Sequence, residues 1–316
     1  MRCNHDRIAF IETYSLVARS RFHLMRSLLG KIRRNTRLKI VLLLSPIILF
    51  LMAFFIFPFV ITVAYSLGKV DNFNRLIAVT FNLNYYAKAL STTPLTIIAK
   101  SLWIATVTTV LCLVMGYPVA YWIGVKAGKW KSLAVLLLIV PFWSSFLIRT
   151  YAMMSLLTRG GVVNTVLINL GLISTPLDLL YNEFSVMLGM VYNYLPYMIL
   201  PLYASTEKMD PSLVEAAQSL GANRLDSFLR VTLPLTMPGI IAGSILVFVP
   251  AVGEFVVPQL LGGTGVFLVG QLIWNQFQSS VGSWAFGSSV SVIVVALVLA
   301  LVMLYVKRAG GEGMTL

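Results

Sequence analysis

Six stretches of this chain run for about twenty residues almost free of charge, and that one feature excludes most folds. They are Val41–Leu67, Leu102–Val125, Leu133–Ser155, Phe184–Ser205, Thr236–Pro258 and Ser289–Val306, with Arg149 and Glu254 the only charged side chains inside them. A bilayer core ~30 Å thick is crossed by roughly 20 residues of α-helix. Lipid offers the backbone no hydrogen-bond partners, so such runs are helical or belong to a closed barrel, and the alternating ten-residue pattern of barrel strands is absent. The expected fold class is therefore all-α, a polytopic membrane protein with six transmembrane helices. Composition agrees: 58% of residues are hydrophobic and 11% charged, where soluble domains carry about 45–50% and about 25%. An ordinary soluble enzyme, a disordered chain and a disulfide-stapled domain are excluded, the last because Cys3 and Cys112 are the only cysteines.

The net charge of +13 would suggest nucleic acid if it were spread over a soluble surface. Instead it sorts by loop. Ten Lys and Arg precede the first span, three lie in 126–131, three in 208–230 and two after the last span; the opposite loops hold four, one and none. Such a bias places both termini in the cytoplasm, makes the basic charge a matter of topology, and leaves no nucleic-acid partner to expect. The expected divisions are a basic cytoplasmic tail (1–39), a transmembrane domain (40–307) with a cytoplasmic loop at 207–235, and a short cytoplasmic tail (308–316). The first tail is too long, and its following 27-residue apolar run too extended, for a cleavable signal. An amphipathic helix over Ile8–Ile32, an unstructured tail and a start at Met25 all fit it. The loop at 259–288 has no charge yet carries Trp274, Phe277, Trp284 and Phe286, the composition of a re-entrant or interfacial segment.

The loop between the fourth and fifth spans has a readable grammar. Asp210 before Pro211 is an N-cap followed by proline at the first helical position, and Gly221 ends a run of good helix formers. A second helical stretch, Leu225–Leu233, is expected before Pro234 and Pro238 lead back into the membrane, which makes the loop a helical elbow. Its residues Glu215-Ala216-Ala217, three more, Gly221, nine more, Val231, one more, then Leu233-Pro234 match the pattern EAA-x3-G-x9-I-x-LP, with valine for isoleucine. On this loop the chain resembles the membrane-spanning permeases of type I ABC importers. The resemblance implies a coupling helix that docks on a separate ATPase subunit, with Glu215, Ala216, Ala217, Gly221, Val231, Leu233 and Pro234 as the coupling residues. ATP and magnesium would be handled by that partner, with no cofactor on this chain. Gly124-Val-Lys-Ala-Gly128-Lys129-Trp130 is one residue short of a P-loop and lacks its hydroxyl, while His5 and His23 have no spacing for a metal or a triad, so no catalytic residue is expected.

Further stretches narrow the likeness. Gly116-Tyr-Pro-Val-Ala-Tyr121, Pro141-Phe-Trp-Ser-Ser-Phe-Leu-Ile-Arg-Thr-Tyr151, Tyr194-Leu-Pro-Tyr-Met-Ile-Leu-Pro201 and Phe248-Val-Pro-Ala-Val-Gly-Glu-Phe-Val-Val-Pro258 resemble the permeases of putrescine and spermidine importers. The resemblance implies a bacterial inner-membrane protein that carries a small cationic substrate. Its partners would be a homologous second permease, two ATPase subunits, a periplasmic binding protein and membrane lipid.

The residues themselves permit a cationic cargo. Glu254 is the only carboxylate inside a span, a costly placement that marks a functional candidate. Pro250, Gly253 and Pro258 leave the helix end around it irregular, which lipid tolerates only where backbone lines a cavity. Trp143, Tyr151, Tyr192, Tyr194 and Tyr197 offer ring faces to an ammonium, though aromatic residues also belt any membrane interface. Arg149 lies at a similar height to Glu254; the two either neutralise each other or meet the cargo, and both alternatives stand at this point. Gly239-x3-Gly243 reads as helix packing. Other cargoes on the same fold, an oxyanion or ferric iron, and an ion-coupled secondary transporter remain as rival readings.

Overall fold

The computed structural model describes residues 36–70, 76–280 and 282–310. The expected basic tail lies outside them up to residue 35, as do residues 311–316. Among the described residues, those up to Ile61 form one compact unit and those from Thr62 a second. The first unit contains helix α1 (Thr36–Leu51), which passes Pro46 into a π-helical turn at Met52–Ile56.

In the second unit the order is the end of α2 (Phe57–Leu67), a hairpin of β1 (Gly68–Val70) and β2 (Leu76–Val79), α3 (Asn84–Ala89) and α4 (Thr92–Tyr121). Then come α5 (Lys131–Ile139), α6 (Phe146–Leu157), α7 (Val162–Asn169), α8 (Glu183–Glu207), α9 (Pro211–Ser219), α10 (Arg224–Ser227), α11 (Leu233–Val252), α12 (Val269–Gln278) and α13 (Trp284–Gly310). Six helical segments among the described residues are long and apolar enough to cross a membrane.

Helices α4, α8 and α11 pack on one another and carry the core, with Ile104, Met190, Met198, Leu202 and Val247 fully buried between them. Water cannot drive apolar helices together inside lipid, so close packing at small residues must hold them. Gly239 and Gly243 supply it. A Cβ at Gly239 would stand 2.5 Å from the Ser205 hydroxyl and 2.7 Å from the Pro201 carbonyl, and one at Gly243 would stand 2.7 Å from the Met198 sulfur. Polar clasps add direction: Tyr117 and Thr236 share a 2.8 Å hydrogen bond between α4 and α11, and the Thr206 hydroxyl donates to the Ala120 carbonyl at 3.2 Å.

Two expectations need correction. The third apolar run, Leu133–Ser155, is not one helix. Pro141 has no N–H to donate, the chain tightens into a 3₁₀ turn at Val140–Trp143, and Ser144 and Ser145 are extended before α6 begins. Leu225–Leu233 is not a separate helix ended by Pro234. Helical backbone continues from Arg224 to Val252 through a π-helical turn at Phe228–Thr232, so Pro234 falls at the start of α11 and Pro238 inside it. The outer loop 68–101 holds the hairpin, α3 and the first turns of α4. The uncharged 259–288 segment does fold back into the protein. Leu261, Val266, Leu268 and Val269 are fully buried, the Leu261 carbonyl accepts from the Ser185 hydroxyl at 2.8 Å, and the Ser101 hydroxyl accepts from the Val269 N–H at 2.8 Å.

Candidate functional site

Two places gather the residues singled out by sequence. The first is the elbow between α8 and α11. Asp210 caps α9 by accepting the Ser212 N–H at 2.9 Å, and Pro211 fills the first helical position. At the other end Gly221 has φ +91°, a left-handed conformation that costs a side-chain-bearing residue strain. The Gly221 and Ala222 N–H groups close the helix on Gln218 and Ala217 carbonyls at 3.0 and 3.1 Å. Asn223 then caps α10 by accepting the Asp226 N–H at 2.8 Å.

Helical spacing sets Leu213, Ala216 and Leu220 on one face of α9 (i, i+3, i+7), and all three are exposed, Leu220 at 89%. Glu215 beside them is exposed and forms no ion pair among the described residues. Val214 and Ala217 turn inward and are half-buried. Val231 and Leu233 are half-buried and Pro234 is exposed. An apolar stripe on a short, capped helix outside the spans is the form of a docking surface. The base of the elbow is tied to the 126–131 turn by a 2.7 Å ion pair between Lys131 and Glu207. Gly124, of the near-miss phosphate loop, lies tight against Thr206.

The Ser212 backbone N–H holds the Asp210 carboxyl below the usual carboxylate range. A depressed carboxyl contributes stability fully above its unfolded value of about 3.9, and loses it as pH falls through the folded one. The protection factors of the α9 amides are therefore flat from neutral pH down to about pH 5 and fall only in stronger acid. Asp210→Ala raises exchange at Leu213 and Val214 several-fold at neutral pH.

The second place is the break after α11. The helix stops at Val252, and Glu254 and Phe255 are not helical before the chain turns again through Pro258–Gly262. Glu254 Oε1 accepts the Val256 and Val257 N–H groups at 2.9 and 3.3 Å, so the carboxylate caps the restarted turn. Its Oε2 accepts the Tyr194 hydroxyl at 2.5 Å. The side chain is half-buried, and no Lys or Arg pairs with it among the described residues.

Tyr194 meets Tyr197 (6.1 Å between ring centres), and Tyr197 meets Phe142 edge-on at 5.0 Å. On the other side, Phe255 stacks on Trp274 at 4.7 Å, which packs the uncharged segment beside the Glu254 break. Trp143, Tyr151 and Tyr192 are not brought into this cluster. They are exposed at 78, 54 and 45% and enter none of the ring contacts or hydrogen bonds among the described residues. Arg149, on α6, is 9% exposed with its Nε unpartnered.

Sequence reading missed Asn193 and Thr150. Asn193 is buried on α8 and donates to the Thr150 hydroxyl at 3.3 Å and the Gly189 carbonyl at 3.0 Å. An amide inside an apolar run was the signal for it. A groove of about 380 Å³ between α4, α11 and α13, lined by Leu113, Ser244, Phe248, Leu301 and Tyr305 among others, contains none of the candidate residues.

Comparison with known proteins supplies the context. The profile of the binding-protein-dependent transport system inner membrane component matches residues 27–309. The spermidine/putrescine transport system permease protein PotB of Haemophilus influenzae is 40% identical over 257 residues, covering 81% of this chain and 89% of that protein. The Escherichia coli (strain K12) protein of the same name is 41% identical over 233 residues, covering 74 and 84%. Among solved structures, a chain of a bacterial alginate ABC transporter, in complex with an alginate-bound periplasmic protein, superposes with TM-score 0.66. It is 18% identical, with 88% of this chain and 96% of that one covered, a likeness of fold.

Proposed function

Because the chain belongs to the family of binding-protein-dependent transport system inner membrane components, we propose that it forms half of the path of an ATP-driven importer for putrescine, spermidine or both. The chain is a multi-pass inner-membrane permease component. Its identity of 40% to a spermidine/putrescine permease over most of both chains is the observation that carries the cargo. The half-buried Glu254 carboxylate, with ring faces beside it and no Lys or Arg paired to it among the described residues, supports a positively charged solute. An oxyanion or ferric cargo finds no comparable support.

In this reading both termini and the elbow face the cytoplasm. The Leu213, Ala216 and Leu220 face of α9 docks on a separate ATPase subunit, which handles ATP and magnesium, and this chain performs no chemistry. A second, homologous permease completes the path above two ATPase subunits. A periplasmic binding protein delivers the cargo, in keeping with the periplasmic protein bound in the alginate transporter.

The test is ATP-dependent uptake of labelled putrescine and spermidine by the assembled transporter in liposomes. Saturable uptake of either, with Glu254→Gln raising the half-saturating concentration, is the expected result. A transporter whose ATPase responds to an oxyanion and not to a polyamine would falsify the cargo while leaving the fold and family intact.

A further inference from the structure

The groove between α4, α11 and α13 belongs to neither of the two places described above. It holds about 380 Å³, and its walls are mostly apolar, with Val110, Leu113, Ile245, Phe248 and Leu301 among them. The two threonine hydroxyls in the wall are satisfied inside their own helix: Thr106 donates to the Leu102 carbonyl and Thr109 to the Ala105 carbonyl, both at 2.7 Å. Val110 and Leu301 are exposed at 52 and 38%, so the groove opens at the surface of three segments that are long and apolar enough to cross a membrane. What such a surface meets is hydrocarbon.

The groove is too narrow to seat a helix. From Thr106 to Leu113 helix α4 rises about 10 Å, which gives the groove a cross-section of roughly 35 Å². A helix with its side chains is about 10–12 Å across, more than twice that area. A single hydrocarbon tail is slender enough to lie in it. The charge at one end says which lipid carries the tail. On α13, Leu301, Tyr305 and Arg308 follow at i, i+4 and i+7 and so share one face. Arg308 and its neighbour Lys307 are exposed and enter no ion pair among the described residues. Tyr305 lines the groove, and its hydroxyl has no hydrogen-bond partner among the described residues. A tyrosine and an arginine one turn apart at the end of a span are donors placed for ester and phosphate oxygens at the headgroup level.

We propose that this groove binds one anionic phospholipid, with an acyl chain between α4, α11 and α13 and the phosphate on Arg308. Lys307 adds charge beside it, and the Tyr305 hydroxyl donates to the ester region. The lipid comes from the leaflet that the C-terminal end of α13 meets, the cytoplasmic one in the orientation proposed above. The site needs no cargo, so it stands or falls apart from the polyamine reading. Because the tail fits only the folded arrangement of the three helices, the lipid stabilises that arrangement as a ligand does.

The test is lipid retention by the assembled transporter in neutral detergent, read by native mass spectrometry, with phosphatidylglycerol and phosphatidylcholine of identical chains as probes. Wild type retains phosphatidylglycerol in preference to phosphatidylcholine. Arg308→Gln lowers phosphatidylglycerol retention about fivefold and leaves phosphatidylcholine unchanged, the effect of one cation at an anionic headgroup. Leu301→Trp, which fills the groove from an exposed wall, lowers retention of both. Equal retention of the two lipids by wild type, or a Leu301→Trp transporter as lipid-loaded as wild type, overturns the inference.

A second arm asks what covers the groove in the membrane itself. Photoreactive benzoylphenylalanine in place of the exposed Val110 is expected to crosslink to phospholipid. Crosslinking instead to a second permease, or to the first span of this chain, assigns the groove to a protein surface and overturns the lipid site.

Discussion

Arginine in place of Ala216 reduces ATP-dependent uptake about a hundredfold, with the permease still present in the membrane at wild-type level, because it places a long charged side chain in the exposed apolar stripe of α9. Leu213 and Leu220 flank that position one helical turn away on either side. If this stripe is the proposed docking face, it depends on a few central contacts, and loss of one such anchor costs about 2–4 kcal/mol. Since no described residue packs on the outward face of Ala216, the fold is expected to be indifferent to the change. The measurement is uptake together with the ATPase rate of the reconstituted transporter. Equal uptake in variant and wild type would remove the docking role from α9.

Leucine at Gly239 does the opposite: it leaves the elbow alone and attacks the core. The first added carbon already meets the Pro201 carbonyl at 2.7 Å, and a backbone atom inside a packed helix cannot step aside. Helices α8 and α11 must separate, with an overpacking cost of about 3 kcal/mol. The detergent-solubilised protein is expected to melt well below wild type, and Gly239→Ala to fall between. Gly160 provides the control, because a Cβ added there would meet no atom beyond its chain neighbours within 4 Å. A melting temperature for Gly239→Leu equal to that of Gly160→Ala would show that this crossing is not tight in the folded protein.

Legibility from sequence followed the range of the interaction involved. Helix α9 was readable because its start and stop are written locally: Asp210 and Pro211 at one end, Gly221 with its positive φ at the other. Five of the six spans were readable from the absence of charge alone. The third was not, since Leu133–Ser155 is continuously apolar and hydropathy is blind to backbone; Pro141 and the paired serines after it were the local signs of the break. Pro234 misled in the other direction. An interior proline ends a regular helix, but the π-helical turn before it leaves the backbone helical through the site.

At the candidate site, sequence supplied Glu254 but not the groups that hold it. Arg149 was the only opposite charge in reach of a count, whereas the folded chain satisfies the carboxylate with two N–H groups two and three residues on and with a hydroxyl from α8. The capping pattern was local and could have been read from Gly253-Glu254 before a restarted helix. The Tyr194 contact, sixty positions away in the chain, could not.

The π-helical turn at Phe228–Thr232 sets the angular phase between the elbow and the span it feeds. Each residue of an α-helix advances the chain by about 100°. One residue more or fewer in that turn would swing α9 by that angle around the axis of α11, carrying the Leu213–Leu220 stripe off its bearing without altering a single side chain in it. If α9 is the proposed docking face, the length of this connector is as much a part of it as the residues displayed on it, and deletion of Arg230 is expected to disable the elbow as thoroughly as a charge at Ala216.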